Sequence, residues 1–500
     1  MEKELLLFRE KIKEKKKVDS MMALLQWDLE TQSPKGGYKL IAEMIGDLSL
    51  KSYNLTTSKE FIDLVENLEK RKDDLGEIEK REVELLVEEI DKIKVIPAEE
   101  YKAYSELTAK AQGVWAEARE KKDFSIFKPF LEQIFEYTKK FLEYRGEKKD
   151  LYSILLNDYE KGMDVKKLDK FFEELKIEIV PLLKEIEKVK KESKKIEFEK
   201  RVEEQEKLNR EILKYIGFDF TKGVLSQSEH PFTLTVSKDD VRLTTRYFEN
   251  DPLSAIYSTL HEGGHGIYEQ GIGDELAETI LADGASMGIH ESQSRFYENI
   301  IGRSREFIVA IKETLIKHFP ELEEIENEEF YKYINNVESS LIRVEADELT
   351  YSLHIMIRYE IEKGLINGKL NVEDLPKIWN EKMKEYLGVE PKDDSEGVLQ
   401  DVHWSCGLIG YFPSYALGNV YSLQILNQLK KEIEIEKVIK SGEILKIKEW
   451  LREKIHKYGK LKTAKELLMD VTGEELNSKY YIEYLANKYK GIYNIEQKNK

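Results

Sequence analysis

The chain has 500 residues, 41% of them hydrophobic and 10% aromatic, which suffices for a large buried core. Its formal charge of -18 disfavours nucleic acid and anionic membrane as partners. Cys406 is the only cysteine, so no internal disulfide forms, and no stretch approaches the ~18 uninterrupted apolar residues of a membrane span. With 36% charged residues and only 10 Pro and 28 Gly, the chain reads as mostly helical with short loops. The opening residues, MEKELLLFRE, lack a secretory pattern, and a cytoplasmic protein is expected. Abundant Lys and Glu with one Cys fit a thermophile's protein, and fit an AT-rich genome equally well.

Residues 1–150 carry a helical rhythm. Leu5, Leu6, Phe8 and Ile12 begin one stripe, and Pro34 with Gly36-Gly37 marks a turn into a helix through Ile41, Met44, Ile45 and Leu48. Longer helices are predicted over 77–95 and 98–121, and Asp28 and Glu30 read as solvated or capping groups. From Val165 the spacing stays helical, with a very polar interval at 188–200 that is either a projection or a break. The period then switches to two. Phe232–Val236 and Val241–Phe248 are β-branched and aromatic, joined by a short polar turn, and predict a hairpin. An edge strand beside a metal helix can take up a peptide by strand addition. Helices return over 276–281, 287–316, 328–365 and 372–387. An aromatic, charge-poor segment follows at 399–418, and amphipathic helices fill the tail beyond 420. His318 and His456 lie among charged residues and are expected at the surface; Cys406, in an apolar setting, reads as a buried thiol.

The densest chemistry is Ala255–Gly266, AIYSTLHEGGHG. His261 and His265, four apart on a helix entered at Pro252, share one face and can ligate one Zn²⁺, with Glu262 beside them as general base. Gly263 and Gly264 each cost ~1 kcal/mol against Ala in a helix interior, which implies close approach by a neighbour. A third ligand is needed. Glu291 on the next helix is one candidate, and His290 is its rival. A helical metal-binding scaffold without turnover would have no use for Glu262.

Five motifs occur in order: DVRLT (240–244), HEGGH (261–265), HESQ (290–293), IRVEAD (342–347) and GVLQDVHW (397–404). They resemble the signatures of the thermostable carboxypeptidase Taq family, zinc-type metallocarboxypeptidases; WDLET near Trp27 and GYFPSYALGN at 410–419 add to the likeness. The resemblance implies a mainly α, saddle-like subunit with a deep groove, related to oligopeptidase and angiotensin-converting-enzyme architectures. A single catalytic domain over 1–500 is expected, its motif-bearing part at about 230–420, with the small hairpin beside the HEGGH helix. The resemblance further implies a homodimer, one divalent metal per subunit (Zn²⁺, with Co²⁺ able to substitute), and broad removal of residues from peptides with a free C-terminus. It makes His261, His265 and Glu291 the metal ligands and Glu262 the catalytic carboxylate. His403, Tyr411 and Tyr415 are candidates for oxyanion stabilisation. Arg343, then Arg242, are candidates for binding the terminal carboxylate through two parallel bonds. Arg358 is expected to pair with Glu360 or Glu362. An endo-acting oligopeptidase on the same scaffold is the alternative activity.

Overall fold

The computed structural model describes residues 2–191, 195–199 and 201–495. It is mainly helical with one three-stranded sheet, as expected. Its contacts divide it into two compact units, the first comprising Met1–Asp91, Lys194–Tyr331 and Ile425–Gly473, the second Lys92–Ser193, Lys332–Gln424 and Glu474–Lys500.

In the first unit the helix Glu2–Thr31 buries Phe8 and Ile12 in a cluster with Phe61, Leu64, Val65, Leu68, Val83 and Leu86. Helix Val202–Ile216 is amphipathic, burying Leu208, Ile212, Leu213 and Ile216, and it ends at Gly217, whose φ of 94° suits a residue without Cβ. The sheet follows: β1 (Gly223–Gln227), β2 (Thr233–Ser237) and β3 (Asp240–Thr245), in the order β1-β3-β2. The predicted hairpin is β2–β3, antiparallel, with Thr233 opposite Leu243. β1, which the alternation does not announce, pairs with β3 in parallel. On its other side β2 meets the first helix, where Ser20 Oγ donates to the Val236 carbonyl at 2.9 Å.

The HEGGH helix runs Pro252–Gln270, capped by the Asp251 side chain, which accepts from Ser254 N. Its two glycines are explained by packing. A Cβ on Gly264 would lie 2.5 Å from the Gln293 carbonyl oxygen, and one on Gly263 would lie 2.7 Å from a Leu213 methyl. Gly264 therefore admits the backbone of helix Met287–Arg295, and Gly263 admits the side chains of Val202–Ile216.

Several expectations are corrected. The helix predicted over 287–316 breaks at a π turn, Phe296–Gly302, before resuming at Arg305–His318. That predicted over 328–365 is two helices, Asn327–Ile334 and Tyr351–Ile366, with IRVEAD in the irregular stretch between them. The polar interval is a break as far as it is described: one helix ends at Val189 and the next begins at Val202, while 192–194 and 200 lie outside the described residues. His318 and His456 are buried, not superficial. His318 is satisfied by Glu204 at 2.6 Å and Glu211 at 3.3 Å, and His456 Nε2 meets Gln293 Oε1 at 2.8 Å. Cys406 is half-buried. Among the described residues no helix is long and apolar enough to cross a membrane.

Candidate metal centre and active site

His261 and His265 project from one face of the HEGGH helix towards Glu291 on helix Met287–Arg295, which Gly264 holds close. Nε2 of each histidine lies 3.7 Å from Glu291 Oε2. Donors around a four-coordinate ion with ~2.0–2.1 Å bonds sit about 3.3 Å apart, so two imidazole nitrogens and a carboxylate oxygen fit a divalent metal after a small contraction. The other Glu291 oxygen accepts from Arg295 Nε at 2.7 Å, while Oε2, 3.3 Å from Ser294 Oγ, faces the two histidines.

A second layer orients these donors. His261 Nδ1 is 2.9 Å from Glu298 Oε2, so its Nδ1–H donates there and its Nε2 carries the lone pair. Burial raises the Glu298 carboxyl, but the Arg295 charge, the His261 hydrogen bond and Arg303 together carry it below the usual carboxylate range. His265 Nδ1 is 2.6 Å from His290 Nδ1, and His290 Nε2 is 2.8 Å from Glu269 Oε1. When His290 donates through Nε2 to Glu269, its bare Nδ1 accepts from His265, whose Nε2 then faces Glu291 as a lone pair. Burial, the largest cause, holds His265 well below its ordinary value and hence neutral. His290, the rival ligand, thus stands behind a ligand rather than in the donor triangle. It also belongs to a second metal-competent group with Glu269 and Asp283, where Asp283 is paired with Lys460.

Glu262 is 7% exposed, and burial raises its carboxyl against the opposing pull of His261 and of a 2.6 Å hydrogen bond from Thr233 Oγ1 on β2. Neither Thr233 nor Glu298 is marked by sequence spacing. Only the fold brings them to the HEGGH helix, although Glu298 does stand seven residues after Glu291. Arg242 lies in this unit too, bidentate to Asp240 at 2.8 Å for each bond, with its guanidinium over Trp27.

The second unit carries the remaining candidates. Asp401 is shared by two buried arginines: Arg343 donates to its Oδ1 through Nε and Nη2 at 3.0 and 2.9 Å, and Arg358 donates to its Oδ2 through Nε at 2.7 Å. Arg358 therefore pairs with Asp401 and not with Glu360 or Glu362. Glu360 accepts from Lys382 and Tyr386. Glu362 accepts from Tyr152 at 2.7 Å, Trp404 at 2.7 Å and Gly410 N at 2.9 Å, anchoring the aromatic segment, and burial pushes it up to about 7. Arg343 also donates through Nη1 to Tyr351 at 3.0 Å, which uses three of its five N–H groups. His403 Nε2 is 3.2 Å from the Tyr415 hydroxyl, and its ring lies 5.7 Å from that of Tyr411. Burial takes His403 down to about 4, so it is neutral near pH 7. Asp347 is a half-buried cap that accepts from the backbone of Glu338, Leu349 and Thr350.

A helical fold with this donor set beside a buried glutamate has the form of a metal-dependent peptidase. Comparison with known proteins narrows the class. The model of the carboxypeptidase Taq (M32) metallopeptidases matches residues 7–489. Carboxypeptidase 1 of Bacillus subtilis is 46% identical over 94% of this chain and 95% of its own. Thermostable carboxypeptidase 1 of Pyrococcus furiosus is 39% identical over 93% and 94%. Among solved structures, the M32 carboxypeptidase from Deinococcus radiodurans superposes with a TM-score of 0.94 at 33% identity, over 99% of this chain and all of the other. The chain belongs to the carboxypeptidase Taq family, and it is a metal-dependent carboxypeptidase.

Proposed function

We propose that the protein removes C-terminal residues from peptides of broad sequence, with Glu262 as general base and one Zn²⁺ per subunit held by His261, His265 and Glu291. The observation that carries this reading is the donor triangle, with a buried carboxylate at the adjacent helix position. Bound there, the ion supplies Lewis acidity, polarising the scissile carbonyl and lowering the pKa of water beside it towards ~7. Co²⁺ suits the same mixed nitrogen and oxygen donors. Glu262 accepts the proton of the attacking water and returns it to the leaving amine, and a carboxyl raised by burial is better matched to both transfers than a solvated one.

We assign His403, Tyr411 and Tyr415 to the negative charge that develops on the carbonyl oxygen. A neutral imidazole and two phenols grouped together are suited to donate hydrogen bonds there. Arg343 is assigned to the terminal carboxylate. Two of its N–H groups remain for a ligand, and Asp401 balances only one of the two guanidiniums it serves. Arg242, already bidentate to Asp240, is the second choice. We also propose a cytoplasmic, thermostable homodimer acting on peptides with a free C-terminus. Glu262→Gln tests the base: turnover should fall on the order of 10²–10⁴-fold while metal stoichiometry holds at one. Turnover within about threefold of the parent would remove Glu262 from that role.

A further inference from the structure

We propose that Thr233 is a positioning residue for Glu262, fixing which carboxylate oxygen is left to take the proton; this rests on the reading of Glu262 as general base. Thr233 Oγ1 lies 2.6 Å from Glu262 Oε2 and 3.2 Å from the Glu262 carbonyl oxygen. A hydroxyl has one proton to give. The 2.6 Å contact is in the range of a charge-assisted O–H···O⁻ bond, so the proton goes to the carboxylate. Among the described residues Thr233 is the only side chain that hydrogen-bonds Glu262, and it leaves Oε1 without a donor.

The donor is held as firmly as the group it orients. Thr233 opens β2 opposite Leu243, and a Cβ on Gly266 of the HEGGH helix would lie 2.9 Å from a Leu243 methyl. Thr245 Oγ1, two residues on, donates to the Ala255 carbonyl at 3.3 Å near the start of the same helix. One residue before Thr233, Phe232 N donates to Thr244 Oγ1 at 2.9 Å. The sheet is therefore fastened to the HEGGH helix on both sides of the Thr233–Glu262 contact. A β-branched threonine in a strand also has few rotamers to choose from. Glutamate, by contrast, has three freely rotating bonds. Without the hydroxyl it keeps its place in the helix but loses its heading. Among the described residues the Thr233 hydroxyl bonds only Glu262 and none of His261, His265 and Glu291, so its effect on rate should be separable from any effect on metal binding.

The test compares Thr233→Val, which preserves shape and branching, with Thr233→Ser, which preserves the hydroxyl. Thr233→Val should lower kcat on the order of 10- to 100-fold, the worth of one hydrogen bond to a charged group, with KM within about twofold. The metal dissociation constant, read by chelator competition, should not move, and Thr233→Ser should recover most of the rate. In a Glu262→Gln background, Thr233→Val should cost nothing further. Wild-type kcat in Thr233→Val, an equal loss in the Glu262→Gln background, or a parallel loss of metal affinity would each overturn the proposal. Full turnover in Glu262→Gln alone would instead overturn the general-base reading, whatever Thr233→Val does.

Discussion

Around the HEGGH helix stand four carboxylates: Arg295 and Arg303 meet Glu291 and Glu298, while Glu262 and Glu269 are hydrogen-bonded by Thr233 and His290. In the second unit the balance is reversed, because Arg343 and Arg358 share the single carboxylate of Asp401. Buried charge without compensation is costly, so each imbalance has meaning. The first leaves carboxylates in excess of guanidiniums, a setting that suits a divalent cation. The second leaves one positive charge, which a single carboxylate neutralises. In each unit the buried charge left over is opposite to that of the ligand assigned to it.

The largest effect expected from disturbing this contrast is structural. Asp401→Asn would leave two buried guanidiniums facing each other with no counter-charge, and should destabilise the protein by about 3–5 kcal/mol in denaturant titration. A change under about 1 kcal/mol would mean that Asp401 is not what holds the pair.

Smaller, and on the other side of the comparison, is Glu298→Gln. It keeps a hydrogen-bond acceptor for His261 but removes a negative charge, and should weaken metal binding on the order of 10- to 100-fold in chelator competition. Unchanged affinity would show that the outer charge does not reach the metal.

The smallest effect is a pH slope. Burial holds His456 at about 3 against an ordinary 6.5. Between those values the unfolded chain carries a proton that the folded one lacks, so stability is lost as pH falls through that window. The slope is at most about 1.4 kcal/mol per pH unit. His456→Gln should remove that slope when urea midpoints are compared at pH 7 and pH 5. An identical pH dependence in the variant would contradict the assignment.

What could be read in the sequence was what is local. The helices over 77–94 and 98–121 follow from their periodicity and their terminal residues, and His261, Glu262 and His265 are one contiguous motif. Gly264 signalled a close approach that turned out to be the Gln293 carbonyl. What escaped depends on pairing across the chain. β1 has only Val224 and Leu225 as apolar residues and gains its identity from β3. The stretch around Arg343 reads as helix, yet its backbone is claimed by the side chains of Gln400 and Asp347. Glu298 reaches His261 by way of a π turn, which no simple period encodes. His318 and His456 look superficial because their sequence neighbours are charged, while their own side chains turn inward and are buried.

The most direct test of complementary charge in the two units is mass spectrometry of a peptide and its C-terminal amide, each incubated with the metal-loaded protein and with Arg343→Lys. The wild-type protein should shorten the free acid stepwise from its C-terminus and leave the amide intact. Arg343→Lys, which keeps the charge but loses the guanidinium fork, should lower kcat/KM on the free acid on the order of tenfold or more. Internal cuts in both peptides, or unchanged kcat/KM on the free acid in Arg343→Lys, would contradict the assignment of the surplus positive charge to the substrate's terminus.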